Sequence, residues 1–241
     1  MKIHHRLTQA LGYEFINIRK HHPSLETHLK ILFSHMDISL VLDIGANEGS
    51  FGRMIRDFGY KNRIISFEPV QTAYLQLARN IENDKRWQAF NYALGAEKKS
   101  LDMLVPCRNE FASFLEASDY GKENWSTVFT STKREAVEVY RLDNVFPEMT
   151  ETDINKEKIF LKIDTQGYDL EVMRGAGEVF RQIDAMQLEL ALIHIYKEMP
   201  DYLESLKMCR QLGFELTGIY PVSRNREKLS LVEVDCVFRK A

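Results

Sequence analysis

The 241-residue chain predicts an α/β fold built on a mostly parallel sheet, and three observations predict it. Apolar, strand-like runs alternate with amphipathic segments of helical period, the pattern of right-handed βαβ units whose sheet is covered on both faces. The first run leads into a glycine-bearing turn, Asp43-Ile44-Gly45-Ala46-Asn47-Glu48-Gly49, which opens a helix. Three of the runs end in an acid, Asp43, Glu68 and Asp164. In an open α/β sheet such strand ends gather at the edge where ligands bind.

Residues 5–36 read as two helices. Leu7, Leu11, Phe15 and Ile18 recur near helical spacing, His21-His22-Pro23 interrupts them, and Ser24 can cap a second helix carrying Leu25, Leu29, Leu32 and Phe33. The histidines there read as a solvated loop rather than a metal cluster. The chain therefore divides into an N-terminal helical extension, 1–37, and a main domain, 38–241. Strand one ends at Asp43. The helix that follows, from about Glu48 to Phe58, carries Phe51, Met54, Ile55 and Phe58, and Gly59 can stop it. Residues 63–68 form strand two, closed by Pro69; Tyr74, Leu75, Leu77, Ala78 and Ile81 mark the next helix, and 87–94 reads as strand three.

Residues 100–105 and 136–141 alternate in polarity and are expected to pair as a small side ladder. The insert between them, 106–135, is polar and aperiodic, with Phe111, Phe114, Tyr120, Trp125 and Phe129 spread through it. A long irregular stretch inside a domain is either a lid over a site or a surface excursion held by its aromatics. Residues 158–164 form the fourth core strand. Gly167 turns the chain into a helix with Leu170, Val172, Met173 and Ala176. The run 185–192 is apolar apart from Gln187 and Glu189. A helix over 202–212 should turn Leu203, Leu206 and Cys209 inward and stop at Gly213. Residues 214–220 and 231–238 read as two closing strands, antiparallel to each other.

With 44% hydrophobic residues the chain can bury a sizeable core, and a net charge of -3 with no strong basic excess argues against nucleic acid or an anionic membrane as partner. Three cysteines, Cys107, Cys209 and Cys236, lack C-x-x-C spacing and suggest a reducing compartment. No zinc ligand set, signal peptide or bilayer-spanning run is legible, so the expectation is a cytoplasmic protein with no stable membrane insertion.

The glycine turn lacks the dinucleotide fingerprint G-x-G-x-x-G, and an acid precedes its first glycine. An acid there would repel a pyrophosphate and suit a cationic ligand. Glu68, on the neighbouring strand, stands where an acid accepts hydrogen bonds from ribose hydroxyls. Asn91, with the backbone of 91–95, could read a purine edge or simply make a turn. Glu189, inside an apolar strand, needs a partner. A nucleotide-dependent oxidoreductase using NAD and a non-catalytic module that keeps the fold are the competing readings; the missing fingerprint weighs against the first and the intact strand-end acids against the second.

Val41 to Gly49 (VLDIGANEG), Ser66 to Val70 (SFEPV), Asn91 to Gly95 (NYALG), Val139 to Phe146 (VYRLDNVF), Ile159 to Ala176 (IFLKIDTQGYDLEVMRGA) and Met186 to Leu192 (MQLELAL) occur in an order that resembles the FkbM family of S-adenosylmethionine-dependent methyltransferases. This chain departs from the family at Thr165-Gln166-Gly167-Tyr168-Asp169, where an acid usually precedes the glycine and a small residue plus Glu follow it. The resemblance implies a Rossmann-like sheet of seven strands, the last antiparallel. It implies S-adenosyl-L-methionine as cofactor, contacted by Asp43, Gly45, Ala46, Asn47 and Gly49 of the turn, by Glu68 and Pro69, by Asn91, Ala93 and Leu94, and by Asp164. It also implies methyl transfer to an acceptor, most simply the hydroxyl oxygen of a sugar, glycan or other small molecule. Asp164 is the first candidate for a general base and His194 the second. No metal is assigned, and the oligomeric state, a homodimer included, stays open.

Overall fold

A computed structural model of the chain describes residues 17, 21–22, 24–149 and 157–241. The first helix expected in the extension, with Leu7, Leu11, Phe15 and Ile18, lies outside them. The second is helix α1, Leu25–His35, whose first turn is capped by the Ser24 hydroxyl accepting from the Thr27 amide.

The alternating pattern then unfolds as read: β1 (Leu40–Ile44), α2 (Ser50–Asp57), β2 (Arg63–Phe67), α3 (Gln71–Asn80) and β3 (Trp87–Phe90). A side sheet follows, made of β4 (Ala93–Leu94), β5 (Lys99–Pro106) and, past the short helices α4 (Asp119–Asn124) and α5 (Ser126–Phe129), β6 (Thr132–Tyr140). The chain returns to the main sheet through α6 (Leu142–Met149), β7 (Ile159–Ile163), α7 (Asp169–Gly175), β8 (Ile183–Ala191), α8 (Tyr202–Gln211), β9 (Phe214–Arg224) and β10 (Leu231–Lys240).

The main sheet has seven strands in the order β3-β2-β1-β7-β8-β10-β9. Only β10 runs against the others, since it pairs antiparallel with both β8 and β9. Strand order reverses between β1 and β7, which makes the carboxyl ends of those two strands the natural ligand crevice.

Alternation along the strands sorts side chains onto two faces. One face, with Leu42, Ile44, Phe67, Leu161, Ile163 and Leu188, packs under Leu142 and Phe146 of α6, Leu170 and Met173 of α7 and Cys209 of α8. The other, with Val41, Ile64, Phe160, Ala185 and Val237, packs under Leu29 and Phe33 of α1, Ile55 of α2 and Leu77 of α3. Phe160 joins the layers: its ring lies 4.8 Å from that of Phe33 and is stacked 6.2 Å from that of Phe51. Gly52 lets α2 approach the Trp87 ring, whose carbons would lie 2.1 Å from any Cβ there.

Three details differ from the sequence reading. Strand three breaks after Phe90, because the Asn91 amide turns back to donate to the Glu68 and Pro69 carbonyls at 2.9 and 3.0 Å. Leu203, expected inward, is 60% exposed, so α8 buries only one narrow edge through Cys209 and Ser205. The insert, read as irregular, carries the short helices α4 and α5, and its Phe111, Tyr120, Trp125 and Phe129 pack against one another and Tyr196. Cys209 and Cys236 are buried and Cys107 exposed, all three free. Among the described residues no helix is long and apolar enough to cross a membrane.

Candidate functional site

The carboxyl ends of β1, β2, β7 and β8 open into a cavity of about 720 Å³, within the range of small-molecule sites. Its floor begins with the glycine turn. Gly45 has φ +76°, and a Cβ on it would lie 1.9 Å from the Asp164 carbonyl, so only glycine lets β1 and β7 close so tightly here. The turn's amides are already engaged: Gly45 and Ala46 donate to the Phe67 carbonyl, and Asn47 donates to Glu68 Oε2 at 2.7 Å. Those three groups are therefore not offered to a phosphate, which sharpens the expectation of a ligand that is not a pyrophosphate.

Glu68 is held rigidly. Oε2 accepts from the Asn47 amide and Oε1 from the Val70 amide at 2.8 Å, while the Asn91 amide ties down the Glu68 carbonyl. Burial pushes its carboxyl up to about 7, against the opposing pull of the Val70 and Asn47 amides. The side-chain carbonyl of Asn47 is buried with no hydrogen-bond partner among the described residues. Tyr92, Ala93 and Leu94, just past β3, continue the wall.

A second set of polar groups crosses the sheet from β3 to β8. The Trp87 indole N–H donates to Ser66 Oγ (2.9 Å), and Ser66 Oγ donates to Asp43 Oδ2 (3.1 Å). The Lys162 ammonium stands 3.3 Å from both Asp43 and Asp164 and donates to the Gly45 carbonyl at 2.8 Å. Burial alone would disfavour its charge, but the carboxylates of Asp164 and Asp43 outweigh burial and raise its pKa. Asp43 is wholly buried, and burial raises its carboxyl despite Lys162. Gln166, in the left-handed region at φ +52°, uses both N–H bonds of its amide to bridge Asp164 Oδ1 and Glu189 Oε1, each at 3.0 Å. The Tyr196 hydroxyl shares its proton between Gln166 Oε1 and the Phe111 carbonyl. Burial first, then the carboxylates of Asp164, Glu233 and Asp235, push Glu189 well up.

The insert roofs this cavity. Ser113 donates to the Gln166 carbonyl at 2.7 Å, Ala117 bridges to Tyr196, and Asn109, Glu110, Ala112 and Phe114 line the cavity from above. Among the described residues, no group of three or more His, Cys, Asp or Glu is arranged to hold a metal ion.

Residues 43–216, from the glycine turn into β9, match the family model described as the methyltransferase FkbM domain. The chain belongs to the FkbM methyltransferase family. Two curated relatives are each 28% identical to it. Methyltransferase 1 of Beauveria bassiana (strain ARSEF 2860) aligns over 165 residues, 64% of this chain and 65% of that protein. Methyltransferase sdnD of Sordaria araneosa aligns over 156 residues, 57% of this chain and 60% of that protein. The match thus spans less than two thirds of either relative. The crystal structure of methyltransferase FkbM from Methylobacillus flagellatus KT shares the fold at a TM-score of 0.52 and 13% identity, over 84% of this chain and 44% of that one.

Within this FkbM-family fold, Gly45, Ala46, Asn47, Glu68, Pro69, Ala93, Leu94 and Asp164 line the cavity together. Four other residues singled out in the sequence do not. Asp43 is covered by Ser66 and Lys162 and acts on the cavity only through them. Gly49 caps α2 behind the turn, facing Leu77 and Trp87. Asn91 points back at the Glu68–Pro69 backbone. His194 is exposed, past the end of β8, and its carbonyl accepts from the Ser118 hydroxyl. Sequence reasoning missed Lys162, Gln187 and Asp235, which also line the cavity. The legible signal was a charged or amide residue at an inward position of an otherwise apolar strand.

Proposed function

We propose that this chain is an S-adenosyl-L-methionine-dependent methyltransferase that methylates a hydroxyl oxygen on a sugar, glycan or other small-molecule natural product. The observation that carries this reading is Glu68, a cavity-lining carboxylate fixed by two backbone amides beside a glycine turn whose Gly45, Ala46 and Asn47 amides are engaged. Such a carboxylate accepts the two hydroxyls of a ribose, and a turn without a free amide cradle suits a nucleoside whose charge is positive. The orphaned Asn47 carbonyl fits a donor-bearing ligand.

When bound, this cofactor supplies an electrophilic methyl group on a cationic sulfur. The chain does the rest. Glu68 and Asn47 hold the nucleoside end, Tyr92, Ala93 and Leu94 wall the base, and Asp164 faces the transfer region with its carboxylate fixed by Lys162 and Gln166. Asp164 takes the hydroxyl proton as the oxygen gains its methyl group. The insert excludes water from above.

Calorimetry with S-adenosylmethionine and with NAD tests the cofactor. Binding of the first alone is expected, and Glu68→Ala should weaken it roughly 10- to 100-fold, the scale of hydrogen bonds to a charged group. Transfer of an isotopically labelled methyl group to a panel of hydroxylated small molecules, with the product position read by NMR, tests the oxygen assignment. Binding of NAD alone, or labelling on nitrogen or carbon, would overturn it.

A further inference from the structure

The cavity has an arm that the cofactor contacts above leave unexplained. It is lined by Gln187 and Asp235 together with Leu25 of α1 and Phe51 of α2. Gln187 is 4% exposed. Its amide N–H donates to Asp235 Oδ1 at 2.8 Å, which fixes the orientation of the amide, because a carboxylate accepts and does not donate. That leaves Gln187 Oε1, buried on the arm, with no partner among the described residues. A buried unpaired acceptor is costly, so a donor is wanted there.

The charges say which kind of donor. Glu189 and Asp235 pair directly across β8 and β10, Asp164 stands beside Glu189 through Gln166, and Glu233 is in hydrogen-bonding contact with Glu189. Lys162 is the cavity's lysine, and Asp43 and Asp164 already share it. Burial first, with the neighbouring carboxylates adding to it, pushes the Asp235 carboxyl up to about 6 and Glu189 well up.

Resting on the methyltransferase reading, we infer that this arm is the acceptor subsite, and that it selects acceptors carrying a protonated amino group near the methylated hydroxyl, the class of amino sugars and amino alcohols. The ammonium donates to Gln187 Oε1 and faces the carboxylates of Asp235 and Glu189, which leaves the neighbouring hydroxyl toward Asp164. An anionic acceptor would face the same crowded acids, with Lys162 already shared by Asp43 and Asp164.

The test uses the full chain saturated with S-adenosylhomocysteine and three probes that differ mainly in charge: glucosamine, methyl glucoside and glucuronate, with binding read by saturation-transfer NMR at pH 7.5. Glucosamine is expected to bind best and glucuronate at least about tenfold more weakly, the scale of one charge-assisted contact. Gln187→Met and Asp235→Asn, both near-isosteric, should each lower glucosamine binding roughly five- to tenfold while S-adenosylhomocysteine affinity is unchanged. Leu25→Trp, which fills the arm without touching a charge, should do the same. Glucuronate binding as well as glucosamine, or variants that leave glucosamine untouched, would sink the inference. A loss of S-adenosylhomocysteine affinity in the Gln187 and Asp235 variants would also sink it, by giving the arm to the cofactor's own amino group. Failure of the unmodified protein to bind S-adenosylhomocysteine would instead overturn the methyltransferase reading itself.

Discussion

The two halves of the cavity hold their acids in opposite ways. On the β2 side a single carboxylate, Glu68, is fixed by backbone amides of Asn47 and Val70. On the β7–β8–β10 side several carboxylates are fixed by other side chains: Lys162 and Gln166 for Asp164, Gln166 for Glu189, Gln187 for Asp235. Backbone donors do not change with a point mutation, so the first half is robust and suits a ligand that never varies. Side-chain donors can be exchanged one at a time, so the second half is adjustable and suits a ligand that differs from one relative to the next. This contrast matches our assignment of an invariant cofactor to one half and a variable acceptor to the other.

The largest expected effect separates the halves directly. Asp164→Asn should lower turnover by roughly 10²- to 10⁴-fold, the range for a general base, with cofactor affinity changed far less. Equal losses in turnover and affinity, measured by steady-state kinetics and calorimetry, would place Asp164 with the cofactor and erase the contrast. Next comes Lys162→Met, which leaves Asp43 buried without its ion-pair partner. It should destabilise the protein by about 3–5 kcal/mol, and adding Asp43→Asn should restore much of that. Chemical denaturation of both variants checks this; no recovery in the double variant would mean that Lys162 acts on the fold through Gly45 rather than through charge.

A smaller effect appears with pH. Glu68 holds its proton up to about 7 in the folded protein, above the ordinary glutamate value of 4.5. The folded state therefore binds a proton that the unfolded chain releases, and this contribution to stability is complete below about 4.5 and lost as pH rises through about 7. The loss is at most about 3 kcal/mol by linkage. The ligand-free Tm should fall from pH 5 to pH 8. The added stabilisation by S-adenosylmethionine should grow over the same window, because the ribose is held by the ionised carboxylate. A ligand-induced shift that is flat with pH would detach Glu68 from the ribose. The smallest effect belongs to Asn91→Ala. It removes two hydrogen bonds to the Glu68 and Pro69 carbonyls and should cost about 1–2 kcal/mol in Tm-derived stability, with cofactor affinity reduced less than tenfold. A larger loss of affinity would give Asn91 a direct role.

The same contrast explains what the sequence could reveal. The turn from Gly45 to Asn47, Glu68 and the Ala93–Leu94 wall lie within about fifty residues, on elements joined by short connections, so local pattern was enough to bring them together. The sheet order was legible because each strand announces itself as an apolar run. Gln187 and Asp235 meet only through antiparallel pairing of β8 with β10, and no local pattern sets that register. His194 followed a strand end as Asp164 did, but a residue past a strand has no fixed direction, and this one faces solvent. The insert's aromatics have no period, so a lid over the site could not be distinguished from a surface excursion.

The transverse polar series has a consequence for how the sheet assembles. Ser66, Asp43, Lys162 and Gln187 occupy one register across β2, β1, β7 and β8. Parallel strands of near-continuous valine, leucine and isoleucine carry little information about where each should stop against its neighbour. Sliding β7 by one residue would send Lys162 to the opposite, wholly apolar face and strand Asp43 without its cation. The polar row therefore works as an alignment key: a misregistered sheet is penalised by several kcal/mol before any ligand is present, and the strands that later frame the site are made to find one another in a single way.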